Sequence, residues 1–179
     1  MKFIKGEKIF LGPIEFDKIK YDYYNWINSE ENRTGLASGY FPKSLESLKD
    51  FVNSNNNSNS ILFGIYDIKN SSYIGNVKIG PINWKDSVAE FGRFIGNSDY
   101  RGKGIGTEVT KLVLKHCFDN LNLNKVTSGC LSNNFASKKS NEKNGMKLEG
   151  TFINHVFENG KYHNVLRFGI LKIDYENQS

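Results

Sequence analysis

Apolar and polar positions along the chain repeat with two different periods, and the changes of period mark out the elements. Ile9, Phe10 and Leu11 lie in an opening strand over residues 7–13, closed by Gly12-Pro13. Over residues 14–27, Phe16, Ile19, Tyr23, Trp26 and Ile27 recur near helical spacing, and Asn28-Ser29 ends the run. Gly35, Gly39 and Pro42 make residues 30–42 a loop. A short helix begins at Ser44-Leu45-Glu46-Ser47, with Leu45, Leu48 and Val52 on one face. The polar tract 53–60 reads as a mobile surface connection. Three strands follow at 61–67, 73–81 and 87–96, separated by the hairpin-like Lys69-Asn70-Ser71-Ser72 and Asn83-Trp84-Lys85-Asp86. Ile105, Val109, Leu112, Val113 and His116 then share one face of a helix over about 104–120. A strand over 125–130 leads to a helix over 134–144, which Gly145 closes as a left-handed cap. Strands 147–158 and 162–173 pair across Asn159-Gly160.

The order β-α-α-β-β-β-α-β-α-β-β predicts a mixed α/β (α+β) architecture as one domain over residues 1–179, with no internal repeat. That length suffices to bury a full core. No apolar run approaches the roughly 20 residues of a membrane span. Residues 1–7 lack the apolar stretch of a secretion signal, which points to the cytoplasm and away from a membrane. Cys117 and Cys130 stand alone as small buried hydrophobes, in keeping with a reducing compartment. His116, His155 and His163 show no ligand spacing and read as packed or surface side chains, so no metal is expected. The net charge is +5, but Lys and Arg are spread without a dense block. That disfavours nucleic acid and suits an anionic small molecule.

Arg101-Gly102-Lys103-Gly104-Ile105-Gly106, between the third of those strands and the long helix, carries the strongest chemistry. Glycines at a strand-to-helix turn let successive N–H groups converge above the positive end of the helix, where a phosphate is favoured. A Walker-type loop requires Gly-Lys-Ser/Thr, and Gly106-Thr107 lacks the Lys. A dinucleotide fingerprint requires a different last interval, and the loop lies past the midpoint of the chain.

The remaining pattern, Arg/Gln-x-x-Gly-x-Gly/Ala, is met by Arg101, Gly104 and Gly106. Here the chain resembles the GNAT (Gcn5-related) N-acetyltransferases, in the branch similar to ribosomal-protein acetyltransferases. Asn134-Phe135-Ala136-Ser137 and Glu142-Lys143-Asn144-Gly145-Met146 resemble a second segment of that family, and the similarity covers about residues 7–172. It implies a mixed, mostly antiparallel sheet of about seven strands with one splayed pair, flanked by about four helices. It also implies acetyl-CoA as cosubstrate, its diphosphate on Arg101, Gly102, Lys103, Gly104, Ile105, Gly106 and Thr107. By the same resemblance, free N–H groups of Phe94, Ile95 or Gly96 polarise the thioester carbonyl, and Ser137 and Lys139 (or Lys138) lie near the cofactor.

Glu90 is the only acid in an apolar, glycine-rich strand. It is the candidate base or substrate anchor, with pairing to a cross-strand Lys or Arg as the other reading. Asn134 either bonds the pantetheine arm or caps the next helix. The position where many relatives carry an acidic Tyr is Asn141, which leaves Ser137, Ser140 or water to meet the thiolate. Tyr23, Tyr24, Trp26, Arg33, Tyr40 and Phe41 offer rings and a cation for an acceptor groove. They favour a small-molecule primary amine, with an amino-sugar nucleotide foremost. Three alternatives stay open: a protein N-terminus, a polyamine thinly supported by Glu30-Glu31, and a non-catalytic acyl-CoA sensor. A homodimer is one assembly this reading allows.

Overall fold

The computed structural model describes residues 1–33 and 39–178, without the Arg33 side chain. The strands are β1 (Ile4–Lys5), β2 (Ile9–Gly12), β3 (Ile61–Asp67), β4 (Tyr73–Asn83), β5 (Val88–Ile95), β6 (Lys125–Leu131), β7 (Lys147–Glu158) and β8 (Lys161–Leu171). They form one eight-stranded sheet in the order β1-β2-β3-β4-β5-β6-β8-β7. The strand beyond the expected seven is β1, where the chain folds back so that Ile4 pairs with Leu11. Every neighbouring pair is antiparallel except β5 and β6.

Four helical segments match expectation. Residues 16–28 run from α1 (Phe16–Lys18) through a π turn (Ile19–Tyr23) into α2 (Tyr24–Asn28). With α3 being Glu30–Arg33, the others are α4 (Leu45–Ser54), α5 (Ile105–Lys115, continued by a π turn over His116–Asn120) and α6 (Phe135–Lys143). The Ser44 hydroxyl caps α4 by accepting from Ser47 N at 3.0 Å. Two single α-helical turns were not foreseen. α3 occupies the start of the expected loop, whose residues 34–38, Gly35 among them, lie outside the described residues. α7 (Lys172–Glu176) ends the last strand at Leu171, two residues early. The Asn/Ser tract is an ordered turn, not a loose connection. Asn57 Oδ1 accepts from the amides of Asn59 (2.7 Å) and Ser60 (3.0 Å), and Asn56 Oδ1 accepts from Leu62 N at 3.0 Å.

The period-2 pattern places apolar side chains on both faces of the sheet. On one face Phe10, Leu62, Tyr66 and Tyr73 pack against Ile19, Tyr23, Ile27, Leu48 and Val52 from the first helices and α4. On the other, Leu11, Ile65, Val77, Phe91, Val126 and Phe168 pack against Val109, Leu112 and Val113 of α5. Tyr23 therefore belongs to the core rather than to an acceptor groove. So does Trp26, stacked on Tyr73 at a centroid distance of 5.1 Å. At the far edge, β7 shifts register twice, at Leu148/Gly150 and at Phe152/Val156, and Asn154 adopts φ +48°. Leu148, Phe152, Ile153 and Phe157 are exposed there. Among the described residues, no helix is long and apolar enough to cross a membrane.

Candidate active site

The parallel pairing of β5 with β6 covers only Val88–Lys125, Ala89–Val126 and Glu90–Thr127. Beyond Glu90 the strands part: β6 stays with β8 as far as Leu131–Val165, and β5 stays with β4 as far as Ile95–Gly75. Alternation decides which amides face the parting. Gly96 N bonds Ile74 O at 3.0 Å, so Gly96 is not a free donor, and the register puts Phe94 in a hydrogen-bonded pair with Asn76. Of the three donors expected, only Ile95 turns its N–H into the gap, together with Arg93 two residues earlier. The Ile95 carbonyl faces the same way and accepts from the Arg101 guanidinium at 3.3 and 3.4 Å.

A cleft of about 640 Å³ opens along this gap. It is lined by Arg93, Phe94 and Ile95 on β5, by Arg101, Gly102, Gly104, Ile105, Gly106 and Thr107, and by Asn134, Ser137, Lys139, Ser140 and Lys143 on the far side. Gly102 (φ +73°) and Gly104 (φ +82°) hold left-handed backbone that other residues rarely adopt, and Gly104 is the N-cap of α5. The first helical bond runs from Glu108 N to Gly104 O (3.1 Å), so the amides of Ile105, Gly106 and Thr107 precede the ladder and are open to an anion. Gly106 is small for another reason: a Cβ there would sit 3.4 Å from Arg93 Nε.

Several side chains depart from expectation. Lys103 does not line the cleft. Its carbonyl accepts from Lys8 Nζ (3.2 Å) and its ammonium lies over the Tyr100 ring. The Arg101 guanidinium is committed within the protein, to Glu31 (2.7 Å), Asn32 and Ile95 O, so the loop offers backbone rather than this cation to a phosphate. Lys139 lines the cleft, and Lys143, which sequence reasoning missed, joins it. Asn134 caps α6, its Oδ1 accepting from Ser137 N at 3.0 Å, while it also lines the cleft.

Glu90 shows the cross-strand pairing. Arg167 of β8 forks onto it, Nη1 to Oε1 at 2.7 Å and Nη2 to Oε2 at 2.9 Å. The bond raises the Arg167 pKa above its ordinary value. β6 lies between the two strands, and Arg167 crosses it over Gly129, where a Cβ would come within 2.8 Å of Nη1.

Arg93 is the residue that sequence reasoning left idle. Its guanidinium reaches α6, donating to Asn141 Oδ1 and to Ser137 O, each at 3.1 Å. Burial pulls its pKa down to about 10, still charged at neutral pH. Asn141 is fully buried and its Nδ2 has no partner. The Ser140 hydroxyl lies 3.2 Å from Thr110 Oγ1. The only signal in the sequence was an arginine within an otherwise apolar strand face.

On the side expected to take the acceptor, the Tyr40 hydroxyl donates to Phe157 O, joining the segment before α4 to the last hairpin. A second hollow of about 380 Å³ is lined by Tyr24, Asn28, Gly39, Tyr40, Phe41, Pro42 and Lys43. The Arg33 side chain lies outside the described residues. His116 packs edge-on to Phe3 and Phe63, His155 lies beside Phe152, and His163 is buried.

Parted strands, inward amides at Arg93 and Ile95 and a glycine turn at a helix N-terminus form a site suited to the activated acyl group of a phosphorylated carrier. The donor set is chemically compatible with acetyl-CoA: open amides able to take a diphosphate, an Ile95 N–H able to take a carbonyl, and Lys139 and Lys143 able to take further phosphate charge. The chain belongs to the GNAT acetyltransferases: the family model for the acetyltransferase (GNAT) domain matches residues 10–147. It is 27% identical over 157 residues to spermidine N(1)-acetyltransferase of Vibrio cholerae serotype O1, which covers 86% of this chain and 90% of that protein. A putative ribosomal N-acetyltransferase of Bacillus subtilis is 26% identical over 114 residues, 64% of this chain and 60% of the relative. In fold, the chain matches the Vibrio cholerae spermidine N-acetyltransferase in complex with CoA and spermine. That TM-score is 0.83 at 24% identity, covering 96% of this chain and all of that one. The protein is thus an acetyl-CoA-dependent N-acetyltransferase.

Proposed function

We propose that the acceptor is a small aliphatic polyamine of the spermidine class, acetylated on a primary amine. The observation that carries the catalytic half is the Ile95 N–H turned into the parting of β5 and β6, opposite the glycine turn. There it stabilises charge on the thioester oxygen as the amine attacks. Acetyl-CoA supplies the acetyl group. The chain fixes the carrier by its loop amides, and Asn134 holds α6 at the cleft wall.

For the acceptor, support comes from the Vibrio relative, named for spermidine and matched over most of both chains. The aromatic set serves that chemistry as well as it would serve a sugar. Tyr24, Tyr40 and Phe41 present partly or largely exposed rings, and ring faces attract alkylammonium groups. Tyr23 and Trp26, two of the rings behind the amino-sugar nucleotide expectation, are packed in the core. Glu31, ion-paired with Arg101, lines the cleft, and Glu90, which is not among the lining residues, is held by Arg167 as a fixed carboxylate able to anchor an ammonium. In this reading Glu90 orients the amine, and water carries its proton away.

A protein N-terminus is the second reading, favoured by the ribosomal-type relative in Bacillus subtilis. Thiol release measured with spermidine, spermine, putrescine, an amino-sugar nucleotide and a peptide with a free N-terminus separates these. The polyamines are expected to give the highest kcat/KM. A higher value for the peptide or the sugar nucleotide overturns the polyamine assignment.

A further inference from the structure

Asn141 stands where many related enzymes place a hydroxyl acid for the leaving sulfur, and an amide cannot serve as one. The structure shows what Asn141 does instead. Its Oδ1 holds Arg93 Nη1 at 3.1 Å while the Ser137 carbonyl holds Nη2, which brings the guanidinium to the cleft wall against Gly106. The arginine is largely enclosed, yet no carboxylate pairs with it among the described residues. A charge in that state is costly unless an anion completes it. Asn141 keeps an orphaned Nδ2 in a fully buried position, so its Oδ1 is retained for Arg93 at the expense of its other end. The gap that Arg93 borders is the one into which Ile95 directs its N–H, two residues or about 7 Å along the strand. Of the two hydroxyls left as acids at the sequence level, Ser140 is buried and paired with Thr110.

We propose that Arg93, positioned by Asn141, is the cationic site that receives the coenzyme A sulfur as a thiolate, replacing a hydroxyl acid. In the transfer the C–N bond forms and the C–S bond breaks with its electron pair left on sulfur. The proton shed by the acetylated nitrogen passes to water. The inference rests on the acetyl-CoA cleft and is independent of which amine is used.

An adjacent cation favours the charged form of a thiol. The other titratable groups around Arg93 are Cys130 on β6, whose thiol burial pushes up while Arg93 pulls it down, and Lys138, Lys139, Glu142 and Lys143 on α6. Gly106, Thr107 and Thr110 face it from α5 and do not titrate, and Glu90 lies on the opposite face of β5.

The test is a pH titration of coenzyme A bound to the protein, following thiolate ultraviolet absorbance as the difference between complex and free protein. In the wild type the acid dissociation constant of the bound thiol is expected to exceed that of free coenzyme A by about tenfold. Arg93→Met should return it to the free value while acetyl-CoA affinity changes by less than about threefold, since the diphosphate rests on loop amides. Asn141→Ala, which releases the guanidinium without removing it, should give an intermediate constant. A wild-type complex whose thiol titrates like free coenzyme A overturns the proposal. So does an elevated constant that survives Arg93→Met or, should that variant not fold, one that Asn141→Ala leaves unchanged. Folded wild-type protein that binds no coenzyme A would overturn the cleft itself.

Discussion

The cofactor half and the proposed acceptor half of the site are built in opposite ways. The cofactor half is local: residues 93–107 supply the inward amide, both left-handed glycines and the helix terminus, within one strand, one turn and the start of α5. Its recognition is mostly backbone, so side chains there are chosen for absence (Gly102, Gly104) or for clearance (Gly106). The acceptor half is assembled from distant segments. Glu90 depends on Arg167, Arg167 on Gly129, and Tyr40 on a carbonyl at Phe157. A backbone site fails through one residue. A side-chain site fails through any member of a chain of supports.

The contrast can be broken at its strongest point first. Gly104→Val should weaken coenzyme A binding about a hundredfold by calorimetry, because a branched residue at φ +82° costs about 1–2 kcal/mol and also displaces the amides. Gly96→Ala acts through the core shared by both halves. A methyl there meets the Trp26 ring, and about 1–3 kcal/mol of stability should be lost by denaturant unfolding. Next, Glu90→Gln and Arg167→Gln should each lower kcat/KM for the amine about tenfold with coenzyme A affinity intact, the scale of one charged hydrogen bond. A matching pH–rate profile in both variants and the wild type supports anchoring. Selective loss of the low-pH limb in Glu90→Gln alone would make Glu90 the proton acceptor. The smallest effect is that of His116, whose pKa burial lowers. The unfolded chain protonates it first, so its contribution is present above about pH 6.5 and is lost as pH falls toward the lower folded pKa. The His116→Phe variant should flatten that part of the stability curve.

The same contrast explains what was legible in the chain. The glycine turn, Gly145 and the Asn159-Gly160 hairpin declare themselves through local backbone demands, and the strands through their period. The splay was expected from resemblance, but which amide faces it depends on pairing parity along β4, and no local pattern reports parity. Arg93 gave no sign of its role because α6, which receives it, lies more than 40 residues further on. Trp26 and Tyr23 looked like groove residues because an amphipathic helix shows which positions are apolar, not how deep the facing sheet lies. Arg167 gave no warning, since a cross-strand partner two strands away leaves no mark on the spacing around Glu90.

The outermost strand carries a consequence for how this protein behaves in crowded solution. β7 ends the sheet with apolar side chains in the open, a template on which a foreign strand could add. Its two register slips and the left-handed Asn154 interrupt the row of outward donors and acceptors, so an incoming segment finds no long matching ladder. Straightening that edge, by deleting a slipped residue, should turn an interrupted edge into a seed for fibrous association.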